Sequence, residues 1–165
     1  MDSIDLIGDN LVRSEEIVLS RIEDMRAHCL VPPTNRGGGH TLWVIGHLAY
    51  IEALVIDRFM RGLPNPLSRW ESMFDGEVVS SREEDYVSFD VALTECRARR
   101  AATRKLLATL AEHDLDRQSK QAPGGTEPMF GTYRKCFQYV ADHWLMHRGQ
   151  LADARRAAGR DRMWY

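Results

Sequence analysis

Apolar residues recur along this chain at spacings of three and four, in four separate blocks. That period predicts four amphipathic helices. In the first block, Ile4, Ile7, Leu11, Val18, Ile22 and Met25 form one stripe, and Glu15, Glu16, Arg21, Glu23, Asp24 and Arg26 fall mainly outside it. This helix is expected from residue 4 to about 29. The second starts at His40 or Thr41 and runs to about Arg61, with Val44, Leu48, Ile51, Val55 and Phe59 in one inward row. The third takes Ser88 as its N-cap and Asp90 in its first turn, a favourable position for an acid. Phe89, Ala92, Cys96, Arg99, Thr103, Leu106 and Leu110 mark its inward face as far as about His113. The fourth begins between Phe130 and Thr132 and ends before Gly159. Its stripe is Tyr133, Phe137, Val140, Trp144, His147, Leu151 and Ala154, and Cys136, Val140, His143 and His147 form the adjoining one.

Breaker clusters separate the blocks. Val31-Pro32-Pro33-Thr34-Asn35-Arg36-Gly37-Gly38-Gly39 must be a loop, as must Gly62-Leu63-Pro64-Asn65-Pro66 and the stretch from Gln121 to Pro128. The three glycines before His40 lack the following Lys-Ser/Thr and preceding strand of a phosphate loop. A long connection runs to about Val87, with Trp70, Met73 and Phe74 on one short helical turn. Connections of this length are often functional. These aromatics either plug one end of the core or wall a pocket, and the roles are compatible. No internal repeat and no alternating strand pattern interrupts the series. The expected fold is therefore all-α, an up-down four-helix bundle with a long connection between its second and third helices. Residues 1–165 suffice for one such domain with a sizeable core.

Composition narrows the function classes. Hydrophobic residues make up 44% and charged residues 28%, and the net charge is -2. No basic excess points to nucleic acid or an acidic membrane surface. The longest uncharged apolar run, Thr41 to Ile51, is too short to span a bilayer. The amino-terminal residues lack a basic segment followed by an apolar core, so no secretory signal is expected. Three cysteines, Cys29, Cys96 and Cys136, without a Cys-x-x-Cys pair, suit a reducing cytoplasm better than a disulfide framework.

The chemistry concentrates at Asp142-His143-Trp144-Leu145-Met146-His147-Arg148-Gly149-Gln150. His143 and His147 stand at i and i+4 of a helix, on one face and about 6 Å apart along the axis. Their imidazoles can converge on one metal ion. Trp144 follows His143 where a zinc protease needs a glutamate base, which removes that activity. A further ligand must come from elsewhere, and His47 on the inner border of the second helix is the best placed. The bland alternative is that each histidine hydrogen-bonds inside the core. His28 and His113 suit favourable charges at helix C-termini. His40, two turns from His47, suits a helix start or loop, with entry into the site as the alternative. Cys136 lies about 10 Å along the helix from His143, too far for a fourth ligand. Tyr139 and Tyr50, each one turn from a candidate ligand, suit packing or a proton-donor role.

These residues carry a resemblance. His47 sits in a Trp-x-x-x-His-Leu context, and the connection holds Leu63-Pro64, Trp70 and Phe74. Asp114-Leu115-Asp116 follows the third helix, and His143-x-x-x-His147-Arg148-Gly149-Gln150 lies on the fourth. In these features the chain resembles the DinB/YfiT-like family of metal-binding four-helix bundles over nearly its whole length. The resemblance implies a metal site made by His47, His143 and His147 holding a divalent ion, with zinc or nickel favoured. Family members include thiol-dependent S-transferases using bacillithiol or mycothiol, and a mycothiol-dependent maleylpyruvate isomerase with an additional C-terminal domain. A bundle without that domain better fits the transferase, acting on a small thiol and an electrophilic substrate, or an enzyme of unassigned substrate. Three neutral imidazoles leave a divalent ion an open position, where a thiol or a water can be activated. Hydrolysis is thus the alternative chemistry, and a non-catalytic metal-binding bundle the alternative class. A homodimer is also expected from the resemblance. The apolar end Arg162-Met163-Trp164-Tyr165 is expected to dock on its own bundle or on a second subunit.

Overall fold

The computed structural model describes residues 2–76 and 79–164. Among them the protein is helical, and β pairing is confined to two isolated bridges, Thr34 with Gly37 and Gln118 with Thr132. Four long helices carry the architecture: α1 (Ser3–Asp24), α2 (Thr41–Ala53), α4 (Phe89–Leu107) and α6 (Tyr133–Ala157). Two short ones, α3 (Glu71–Phe74) and α5 (Glu127–Phe130), sit in the connections. The main packing pairs are α1 with α6 and α2 with α4. No described helix is long and apolar enough to cross a membrane.

Each long helix starts where a side chain can satisfy its free backbone donors. Asp2 accepts from the Asp5 amide at 2.8 Å, Ser88 from Val91 at 3.3 Å and Thr132 from Lys135 at 3.4 Å. His40 caps α2 through Nδ1, which accepts from the Trp43 amide at 3.1 Å. The ends depart from the periodicity. The first helix is three-residue-per-turn beyond Asp24, over Arg26–His28. The second changes to π-helical winding over Leu54–Met60 and stops at Gly62, whose φ of 69° costs a glycine little. The carbonyls of Phe59 and Met60 accept from the amides of Gln121 and Lys120 instead of closing further turns.

The third long helix ends at Leu107, well short of His113. There the Thr109 hydroxyl donates to the Leu106 carbonyl, and the Asp114 carboxylate accepts from the Ala111 amide to start a separate turn, Glu112–Asp116. His113 is therefore an exposed neighbour of Asp114, not a C-terminal charge on α4. The inward face of α4 also differs from expectation. Arg100 is fully buried, whereas Arg99 is half-buried and pairs with Glu95. One position of drift is what a 3.6-residue period allows between neighbouring stripes.

Two packed clusters make the core. One gathers Leu42 to Ala53 of α2 with Trp70, Phe74, Leu93, Trp144 and Leu151. The other gathers Val55, Ile56 and Met60 with Leu107, Leu115, Phe137 and Val140. Arg100 links the four long helices. It lies 3.0 Å from Glu52 of α2, donates to the Val140 carbonyl of α6 at 3.0 Å, and reaches the Leu11 carbonyl and Ser14 hydroxyl of α1 at 3.3 Å. Its guanidinium also stacks 4.2 Å over Trp144, whose indole donates to Glu52 at 2.8 Å. Burial pushes the Glu52 carboxyl up, while Arg100, Thr103 and Trp144 pull it back.

The tail is only partly packed. Met163 is half-buried, but Trp164 is 68% exposed and stacks on Arg162 at 4.0 Å. Tyr165 lies outside the described residues.

Candidate metal centre

His143 and His147 occupy one face of α6, and His47 faces them from α2. On α6, His143 falls between Ala141 of one core cluster and Trp144 of the other, and His147 between Trp144 and Leu151. His143 and His147 are buried, and His47 is half-buried. The Nε2 atoms converge: His143 Nε2 stands 3.3 Å from that of His47 and 3.1 Å from that of His147. Among the described residues, these three form the group able to hold a metal ion, with candidate ligand atoms all within 4.8 Å of one another.

Hydrogen bonds at the far side of two rings fix which nitrogen faces inward. His47 Nδ1 lies 2.6 Å from the Phe74 carbonyl, which can only accept, so Nδ1 carries the proton. His147 Nδ1 lies 2.6 Å from Gln150 Oε1 and donates likewise. In the neutral rings, both Nε2 atoms then present lone pairs toward His143. The rings are held neutral. Burial pulls His47 down to about 4, helped by the nearby His147 and opposed by the Phe74 bond. Burial also takes His143 to about 2, with His147, His47 and Arg100 adding to it. His147 is lowered by burial as well, and Gln150 counteracts.

This donor set fits a divalent cation. Nitrogens about 2.0–2.1 Å from one ion, at angles between octahedral and tetrahedral, stand roughly 2.9–3.4 Å from each other. The observed 3.1 and 3.3 Å fall in that interval. One N–H on His143 could satisfy only part of this cluster, and the remaining lone pairs would face each other without a partner. A cation satisfies all of them at once.

The surroundings hold the rings in place. Trp43 stacks on His47 with centroids 4.4 Å apart and planes 13° from parallel. Tyr139 stacks on His143 at 5.5 Å, also 13° from parallel, and meets Phe130 edge-on. Tyr139 thus packs against the ring of a candidate ligand. Tyr50 is buried in the larger cluster, where burial, with Glu71 and Asp75, lifts its phenol to about 12. Phe74 belongs to the core, and its backbone serves the site. Its ring fills the place a side chain would take at position 46, since a Cβ there would come within 2.2 Å of it.

The other candidates lie apart from the centre. His40 caps α2, and its Nε2 donates to the Ser80 carbonyl at 2.9 Å. His28 is exposed on its short turn. Cys136 is buried beside the Ser119 hydroxyl and the Phe130 carbonyl, and burial pushes its thiol up to about 11. Sequence reasoning placed Trp43 and Gln150 in the motifs that carry the resemblance but gave them no role at the site, and it did not reach the Phe74 carbonyl. The first two were within reach, because they stand at i−4 from His47 and i+3 from His147, where helical neighbours meet. The carbonyl was not, because it comes from a separate element 27 positions away.

A helical protein with three neutral imidazoles converging between α2 and α6 is a candidate metal-binding bundle. Comparison with known families places it further. The family model of the DinB superfamily matches residues 10–151, and the chain belongs to that superfamily. Neither the curated proteins nor the solved structures contain a match.

Proposed function

We propose that this protein is a metal-dependent enzyme, a thiol S-transferase that uses one divalent ion held by His47, His143 and His147. The observation that carries this reading is the convergence of three Nε2 atoms whose opposite nitrogens, on His47 and His147, are tied up as donors. A bound divalent ion supplies a Lewis acid at an open position, where the thiolate form of a small thiol is favoured at neutral pH. Phe74 and Gln150 orient their histidines by accepting the Nδ1 protons, as supporting groups commonly do for metal-ligating imidazoles. Trp43 and Tyr139 restrict ring rotation and keep bulk water from two sides of the cluster.

The reading extends to an up-down bundle forming a single domain, with zinc or nickel as the ion. It also extends to a cytoplasmic homodimer acting on a low-molecular-weight thiol and an electrophile, without nucleic acid or membrane as partner. The pairing of α1 with α6 and α2 with α4 supports the bundle, and three unpaired cysteines support a reducing compartment.

The test has two parts. Elemental analysis of protein purified without an affinity tag should find about one zinc or nickel per chain. Alanine at each of positions 47, 143 and 147 should abolish stoichiometric metal while helicity is retained. Any variant that keeps metal at native affinity removes that residue from the ligand set. Turnover with bacillithiol, mycothiol or glutathione and a panel of electrophiles should then consume thiol in a metal-dependent way. Thiol-independent cleavage of esters or amides would make the protein a hydrolase. No turnover at full metal occupancy would make it a binding protein.

A further inference from the structure

Away from the histidines, the C-terminal part of α6 and the segment after it form a cavity of about 590 Å³ against α1. Six arginines line it: Arg21, Arg148, Arg155, Arg156, Arg160 and Arg162. None of the three site histidines does. The carboxylates at or beside this wall are Asp24, Asp153 and Asp161, so six positive charges meet three negative ones, an excess of three. Asp24 pairs with both Arg155 and Arg160, at 2.7 and 2.6 Å, and Asp153 pairs with Arg156 at 2.9 Å. Arg148 has no hydrogen bond or carboxylate partner among the described residues, and Arg162 only stacks on Trp164.

Arg21 makes the cluster more than a charged surface. It is 2% exposed, yet its one hydrogen bond among the described residues runs from Nη1 to the Ile17 carbonyl, four positions back on its own helix. No carboxylate pairs with Arg21 among the described residues, and it lines the cavity. A buried charge lacking an opposite charge is costly, and guanidinium groups this close repel one another. Burial, then Arg148 and Arg155, hold the Arg21 pKa below its usual value. An anion in the cavity would reverse both penalties. The planar fork of arginine donates paired hydrogen bonds to carboxylate and phosphate oxygens.

We propose that this cavity is a binding site for a small multiply charged anion, a molecule bearing two or more phosphate or carboxylate groups. The buried Arg21 forms its floor, and Arg148 and Arg162 supply donors that no carboxylate of the described chain occupies. Asp24 clamps Arg155 and Arg160 and fixes the wall, while Met163 closes one side. The site is separate from the histidine centre and does not depend on the reaction proposed there.

Calorimetric titration of the purified protein at constant ionic strength tests this, with fructose 1,6-bisphosphate and tricarballylate as probes. Constant ionic strength matters because screening alone weakens exposed charge pairs. The expected result is saturable one-to-one binding of at least one probe, and the preferred probe tells phosphate from carboxylate. Arg148→Gln, on the surface of α6, should weaken binding about tenfold, the loss expected for one charge-assisted contact. Arg21→Gln should weaken it at least as much, with helicity measured alongside. Lys105→Gln removes the same charge from α4, outside the cavity, and should leave affinity unchanged. Absence of saturable binding of either probe overturns the proposal. So does unchanged affinity in Arg148→Gln, or an equal loss in Lys105→Gln.

Discussion

Gln150 illustrates how single residues set this site. Its side-chain oxygen holds His147 Nδ1 at 2.6 Å, so the inward nitrogen of His147 keeps its lone pair. Gln150→Ala should leave the ligand set intact but free the ring to rotate and change tautomer. Metal affinity is expected to fall about 10–100-fold, as when other supporting groups are lost. Competition with a chromogenic chelator measures it, and native affinity in a correctly folded variant would refute the orienting role. A second residue controls acid stability. The hydrogen bond from Arg160, followed by the charges of Arg155 and Arg160, holds the Asp24 carboxyl below its usual range despite partial burial. A depressed folded pKa means the folded state favours the carboxylate. The contribution is therefore fully present above the unfolded value of about 3.9 and lost as pH falls through the depressed one. Melting temperatures between pH 7 and pH 3 should drop less steeply in Asp24→Asn than in the parent chain. Parallel curves would mean that Asp24 has the same pKa folded and unfolded.

At the scale of elements, the contact between α2 and α3 positions the third candidate ligand. Gly46 lets the Phe74 ring lie directly on α2, and the Phe74 carbonyl then meets His47. Gly46→Ala would place a methyl 2.2–2.3 Å from three ring atoms. Overpacking of this kind costs about 1–3 kcal/mol. It should also move α3 and weaken metal binding, although no ligand is altered. Denaturant unfolding and metal titration together check this. A destabilised variant with native metal affinity would uncouple α3 from the site. The same element explains the limits of sequence reading. Trp70, Met73 and Phe74 were expected on a short helical turn, and Trp70 and Phe74 do plug the core. Their periodicity could not reveal that a backbone carbonyl at the end of that turn orients a histidine.

For the molecule as a whole, Arg100 and Glu52 tie the long helices to one another. They thereby join α2 and α6, the helices that carry the three histidines. Arg100→Met leaves Glu52 buried beside Trp144 without its counter-charge. Breaking such a pair costs about 3–5 kcal/mol, whereas replacing both partners with apolar groups often costs far less. Arg100→Met should therefore be clearly less stable than Arg100→Met combined with Glu52→Leu, as read from chemical unfolding. Equal stabilities would show that the charge pair itself is not what Arg100 contributes.

The hydrophobic pattern by itself determined the four long helices, their caps at Ser88 and at the start of α2, and the breaker loops between them. Helical period and side-chain chemistry are local, and each block carries them in full. It also determined that His143 and His147 share one face and that His47 borders the buried side. Tertiary structure decided the rest. Whether His47 meets the α6 pair depends on how α2 packs against α6, and that packing is set by groups distant in sequence, including Arg100 and Glu52. The drift from Arg99 to Arg100 follows from the same cause, because adjacent stripes on a helix are told apart only by what packs against them. The arginine cavity was least legible of all. Arg21 reads as an outward charge in the pattern of α1, and only its packing against α6 makes it a buried guanidinium facing five others.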